Sequence, residues 1–201
     1  MRKIITNFDT LIKLPIPCKK ILSKEITEKN IKNLKKLFEL TKANGKLGLK
    51  YSMKSYDTYS NCKLPTVVWK TKSGHCFELS LFLLACLKYL GFNAYYYEMP
   101  NFKKWDHACV LIKVNGKSIS VDLGRKIFNA KYKGYNRLTK KQTLGNYFIN
   151  CAHMLYPWKC KSKKLSKKDN ITQRQKAIKF AKLGLKYYPN SKRGKIILTG
   201  D

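Results

Sequence analysis

The chain has 201 residues, and 43 Lys and Arg stand against 11 Asp and Glu, a formal net charge of +32. A hydrophobic fraction of 44% excludes a disordered polymer, and the length suits one domain with a sizeable core, or a core plus a small appendage. No run reaches the roughly 18 uncharged apolar residues of a membrane span; Phe77 to Leu87 is too short, and Glu78 sits inside it.

The opening stretch MRKIITNFDTLIKLPIPCKK has charge at its head but no apolar block of signal-peptide type, since Asn7 and Asp9 interrupt it. A cytoplasmic location is therefore expected. Pro15 and Pro17 predict an extended lead-in over residues 1–22. SKEITEKNIKNLKKLFELTKANG reads as one helix: Ile31, Leu34, Leu37, Phe38 and Thr41 recur at helical spacing, and Asn44-Gly45 stops it. Residues 46–64 show no clear period and read as loop with short elements; TVVW (66–69) suits a short strand or a helical turn.

Residues 75–90 read as a helix that is apolar nearly all round and hence central, with Gly91 where a C-terminal glycine belongs. NAYYYE (93–98) reads as a strand. HACVLIKV-NG-KSISVDLG follows, and Asn115-Gly116 between two β-rich runs is the strongest short hairpin signal a sequence offers. Beyond Gly124 the chain is basic and less patterned. KCKSKKLSKKDN (159–170) reads as a solvated linker, and a last helix carries Ile178, Ala181, Leu185 and Tyr188 on one stripe before Pro189 and Asn190 end it.

Seven cysteines at irregular spacings, with no CxxC pair, point to reduced thiols rather than a disulfide framework. His75, His107 and His153 do not fall at zinc-site spacings, so no metal is expected.

The hairpin brings a histidine to an aspartate. A two-residue turn at 115–116 pairs Ile112 with Ile119, Val110 with Val121 and Ala108 with Leu123, one wholly apolar side. The other side pairs Lys113 with Ser118, Leu111 with Ser120 and Cys109 with Asp122. His107 shares that second side as the diagonal neighbour of Asp122, within reach of one hydrogen bond. Cys76 opens the apolar helix, where unpaired N–H groups and the macrodipole favour a thiolate. Cys76 as nucleophile, His107 as proton shuttle and Asp122 as the group that orients His107 would form a triad. The Cys76 backbone N–H would supply one oxyanion donor, and the Trp69 indole N–H is the candidate for a second.

Each residue has a plainer reading. Cys76, like Cys86 and Cys109, can be a small buried hydrophobe. His107 can be a strand-edge histidine, and His75 an exposed one beside the cysteine. Glu78 on the first helical turn suits the dipole in any case.

SGHCFELSLFLLACLKYLGFNAYYYE followed by DHACVLIKVNGKSISVDLG resembles the transglutaminase-like core, over roughly residues 64–125. That family's pattern is a glycine before the nucleophilic Cys on an apolar helix, a Gly after the helix, a His opening a strand and a VD closing the next. The resemblance places Cys76, His107 and Asp122 at the Cys-His-Asp positions. It implies an α+β, papain-like fold: the cysteine helix packed on an antiparallel sheet, with flanking helices. CFEL followed by LGF is also similar to arylamine N-acetyltransferases, which use the same triad. AIKFAKLGLKYYPNS resembles half of a tetratricopeptide repeat.

Three segments are expected: an N-terminal helical segment packed on the core (1–60), a transglutaminase-like core (61–158), and a basic linker with a C-terminal helix (159–201). The leading expectation is a cysteine acyl-transfer enzyme that cleaves or exchanges a peptide or side-chain amide through a thioester, with no cofactor. The second is a basic module on an inactive transglutaminase-like fold that binds nucleic acid or another polyanion, since a field of this size attracts such partners at low salt. Against it, the excess is mostly lysine, a bias genome composition alone produces, and no basic run is organised as a known reader. The third is an acetyl-CoA-dependent N-acyltransferase.

Overall fold

In the computed structural model, which describes residues 5–52, 62–102, 105–156 and 167–199, Pro15 and Pro17 open a helix instead of an extended lead-in. Helix α1 (Phe8–Leu11) is capped by Asn7, whose side chain accepts the Thr10 N–H at 2.8 Å. Helix α2 (Ile16–Glu25) has Pro15 at its N-cap and Pro17 in its first turn, where a missing N–H costs nothing. The single helix expected from Ser23 to Gly45 is broken. Ile26 turns extended (φ −123°, ψ 102°), and Asn30 caps a new helix, α3 (Ile31–Thr41), by accepting the Asn33 N–H at 2.8 Å. The cap satisfies donors that a continuous helix would have paired internally. The expected stripe of Leu34, Leu37, Phe38 and Thr41 is buried on α3.

Strand β1 (Lys50–Tyr51) precedes helix α4 (Pro65–Thr71), so TVVW is helical. Strand β2 (Ser73–Gly74) pairs with β1 in parallel and leads into helix α5 (Cys76–Tyr89), buried from Cys76 through Leu87. Gly91 sits at φ +76°, and the Phe92 N–H donates to the Leu87 carbonyl at 2.9 Å, closing the helix as expected.

The main sheet comprises β3 (Asn93–Phe102), β4 (Trp105–Val114), β5 (Lys117–Asp122), β6 (Ile127–Phe128) and β7 (Asn136–Arg137), in the order β6-β5-β4-β3-β7 with every pair antiparallel. The β4–β5 register is the one read from the turn: Val110 with Val121, Leu111 with Ser120, Ile112 with Ile119 and Lys113 with Ser118. Asn115 and Gly116 both adopt positive φ (48° and 71°), the requirement of a type I′ turn. Helix α5 packs on this sheet; Ser80 Oγ donates to the Ala108 carbonyl at 3.0 Å. The fold is α+β, with the cysteine helix on an antiparallel sheet and further helices beside it. Helix α2 lies against α5, where Ser23 Oγ and Tyr89 Oη are 2.9 Å apart.

Contacts divide the chain into two units, Met1–Ser52 with Lys63–Thr139, and Met53–Cys62 with Lys140–Asp201. The second unit contains α6 (Lys140–Leu155), α7 (Lys167–Tyr187) and α8 (Lys192–Thr199). Helix α6 falls where the sequence looks unpatterned because Thr143, Asn146 and Asn150 are buried among its apolar residues and blur the period. Asn150 accepts from Arg193 Nη1 at 2.7 Å and donates to the Asn146 carbonyl at 2.8 Å, so these polar groups are satisfied. On α7, Ala177 and Ala181 are fully buried, and Phe180 stacks on Phe148 of α6 at 6.2 Å between centroids. The linker expected over 159–170 lies largely outside the described residues, and helix is present from Lys167. No helix among the described residues is long and apolar enough to cross a membrane.

Candidate active site

The start of α5 is held by backbone pairing on one side and a buried carboxylate on the other. The Ser52 N–H donates to the Gly74 carbonyl at 2.9 Å, fixing the extended approach to the helix. Glu78, on the first turn and 1% exposed, accepts the His75 N–H at 3.1 Å and the Lys63 N–H at 2.7 Å. A buried acid at this point completes donors that α5 cannot pair internally and complements its dipole. His75, the N-cap residue, is fully buried with Nε2 3.4 Å from Glu78 Oε1; the exposed position considered for it does not hold.

Cys76 is the first residue of α5 and is 6% exposed. Gly124, just beyond β5, lies directly on it. A Cβ added there would stand 3.2 Å from Cys76 Cβ and 3.4 Å from Asp122 Oδ1, so a side chain at residue 124 would crowd the cysteine.

His107 and Asp122 meet as the hairpin register requires. His107 Nε2–H donates to Asp122 Oδ2 at 2.6 Å, with the carboxylate fully buried and the imidazole nearly so. Cys76 lies near enough for its charge to act on the ring. With Nε2 committed to Asp122, Nδ1 is the ring's other nitrogen. Burial alone would push the imidazole pKa down; the hydrogen bonds and charges of Asp122 and Cys76 outweigh it and carry His107 from an ordinary 6.5 up to about 9. His107 and Asp122 thus meet, with Cys76 beside them.

Cys109 competes poorly for the same role. It is fully buried, and burial, reinforced by the charge of Asp122, pushes its thiol well up. Trp69 lies half-buried on α4, with Lys72 Nζ 3.2 Å from its ring centroid. His153 lies on α6, in the other unit.

Other groups at the site carry no sequence signal. Tyr132 Oη donates to Asp122 Oδ2 at 2.6 Å, and the Arg125 N–H donates to Oδ1 at 3.0 Å. Tyr51, paired with Gly74 across β1–β2, is pushed up to about 12 by burial and then by the charges of Cys76 and Asp122. Tyr51, Leu79 and Leu123 line a cavity of about 20 Å³, room for about one water molecule. Tyr51 and Tyr132 lie in stretches without regular period, and only the folding of β1 and of the loop after β6 brings them here.

No protein-family model and no curated protein sequence matches the chain. Among solved structures it is similar to a "Putative Cysteine Protease from Cytophaga hutchinsonii", at 15% identity and a TM-score of 0.45. That alignment covers 68% of this chain, which spans 47% of the length of the other.

Proposed function

We propose that this chain is a cysteine acyl-transfer enzyme of transglutaminase-like type, acting on a peptide or side-chain amide. The observation behind this reading is the series of Asp122 hydrogen-bonded to His107, with Cys76 beside them at a helix N-terminus.

The chemistry follows from that series. His107 takes the thiol proton, and the thiolate is favoured by the imidazolium and the helix dipole. Sulfur attacks the amide carbon, and the carbonyl oxygen becomes an oxyanion against the Cys76 backbone N–H, with the Trp69 indole N–H as candidate second donor. The imidazolium, held through Nε2 by Asp122, protonates the leaving nitrogen as the C–N bond breaks, leaving a thioester. Water, or an amine, then gives a proton to His107 and attacks the thioester carbon; the C–S bond breaks, and the thiolate recovers that proton. Hydrolysis outruns exchange when no amine competes with water. This sequence needs no cofactor.

Labelling of the folded protein by a dilute iodoacetamide probe at pH 7 tests the reading. Labelling is expected to concentrate on Cys76, to vanish in Cys76→Ala and to persist in Cys109→Ala. Labelling of Cys76 no faster than a denatured thiol would overturn it. Peptide mixtures analysed by mass spectrometry then show hydrolysis or exchange, lost with Cys76→Ala. Addition of acetyl-CoA separates the N-acyltransferase reading, which requires its turnover.

A further inference from the structure

We propose that Tyr132 is a positioning residue of this site: its phenol, donating to Asp122 Oδ2 beside His107, sets how strongly the carboxylate holds the imidazole. The inference rests on the triad reading, but it concerns the Asp122–His107 bond and not the sulfur.

Asp122 is fully buried and accepts three donors. The Arg125 N–H binds Oδ1 at 3.0 Å, whereas His107 Nε2–H and Tyr132 O–H both bind Oδ2 at 2.6 Å. Two donors on one oxygen share its electron density, so each weakens the other's bond. The Arg125 N–H on Oδ1 fixes the carboxylate's rotation independently of Tyr132, so Oδ2 stays on the imidazole when the phenol is removed.

Tyr132 is itself held. Its ring meets the Tyr135 ring edge-on at 5.7 Å and the His107 ring edge-on at 6.5 Å, and the Arg125 guanidinium lies 5.9 Å from its centroid. The charge of Arg125 also acts on the phenol. Groups near His107 among the described residues include Cys76 from α5, Asp122 from β5 and Tyr132 from the loop after β6. Arg125 acts on Tyr132, while Cys109 of β4 and Tyr51 of β1 sense the Asp122 charge. Of these, Tyr132 alone shares the acceptor oxygen with His107.

The sign follows. Tyr132→Phe keeps the ring and removes the competing donor, so Oδ2 holds the protonated imidazole more strongly. NMR titration of His107 in the full chain should then move upward by about one unit. Replacing Tyr132 by 3-fluorotyrosine makes the phenol a stronger donor and should move the titration downward. A role in packing alone predicts no shift in either protein. Titrations within about 0.2 units of wild type in both, or shifts of the same sign, overturn the proposal. The fluorinated protein keeps the test decisive if Tyr132→Phe folds poorly. Unselective labelling of Cys76 alongside opposite shifts of His107 would sink the enzyme reading and leave this one standing.

Discussion

His107 keeps its proton up to about pH 9 in the folded chain, against an ordinary 6.5. Bonds that favour the protonated ring therefore contribute stability that is full below about pH 6.5 and lost as pH rises through about 9. The linkage amounts to about 3 kcal/mol. Denaturant titrations of wild type and Asp122→Asn should differ most at pH 6 and converge by pH 10. In the mechanism proposed above the same proton goes to the leaving amine, so that mechanism predicts amide turnover falling along an alkaline limb near pH 9, while alkylation of the thiolate does not. Glu78 makes a second case at this scale. Glu78→Ala leaves the Lys63 and His75 N–H groups without their carboxylate and should cost about 2–3 kcal/mol in urea unfolding, much of it recovered in Glu78→Gln.

The start of α5 and the β4–β5 hairpin are the two elements that make the site. Asn115-Gly116 sets the register, the register puts His107 and Asp122 on one side, and α5 presents Cys76 at its first position. A slip of one residue would separate imidazole from carboxylate. Gly124→Ala tests how closely these elements must meet. Its Cβ would press on Cys76, so probe labelling should slow by roughly tenfold with a stability loss of about 1–3 kcal/mol. These elements were legible because turn chemistry and apolar period act between close neighbours in the chain. The break between α2 and α3 was not, because an apolar period runs on past a residue whose side chain prefers to cap. Asn30→Ala should cost about 1 kcal/mol, read from the thermal midpoint.

At the scale of the molecule, charge is the most uneven property. From Leu123 to Gly200 the only acidic residue is Asp169. On α7, Lys176, Lys179, Lys182 and Lys186 are exposed, while Ala177 and Ala181 are buried. Retention on mixed-sequence RNA should fall by at least about tenfold between 50 and 200 mM salt, with little dependence on sequence. A salt-insensitive or sequence-selective interaction would point to recognition by something other than this field.

From the sequence alone came the hairpin register, the central cysteine helix and hence the pairing of His107 with Asp122, because each is dictated over a few residues by a turn, a period or a terminus. Folding alone brought Gly124 onto Cys76, Tyr132 onto Asp122 and the Glu78 carboxylate under the Lys63 amide. Those contacts join positions whose local patterns say nothing of one another, and the energy that selects them exists only once the sheet and helix have packed.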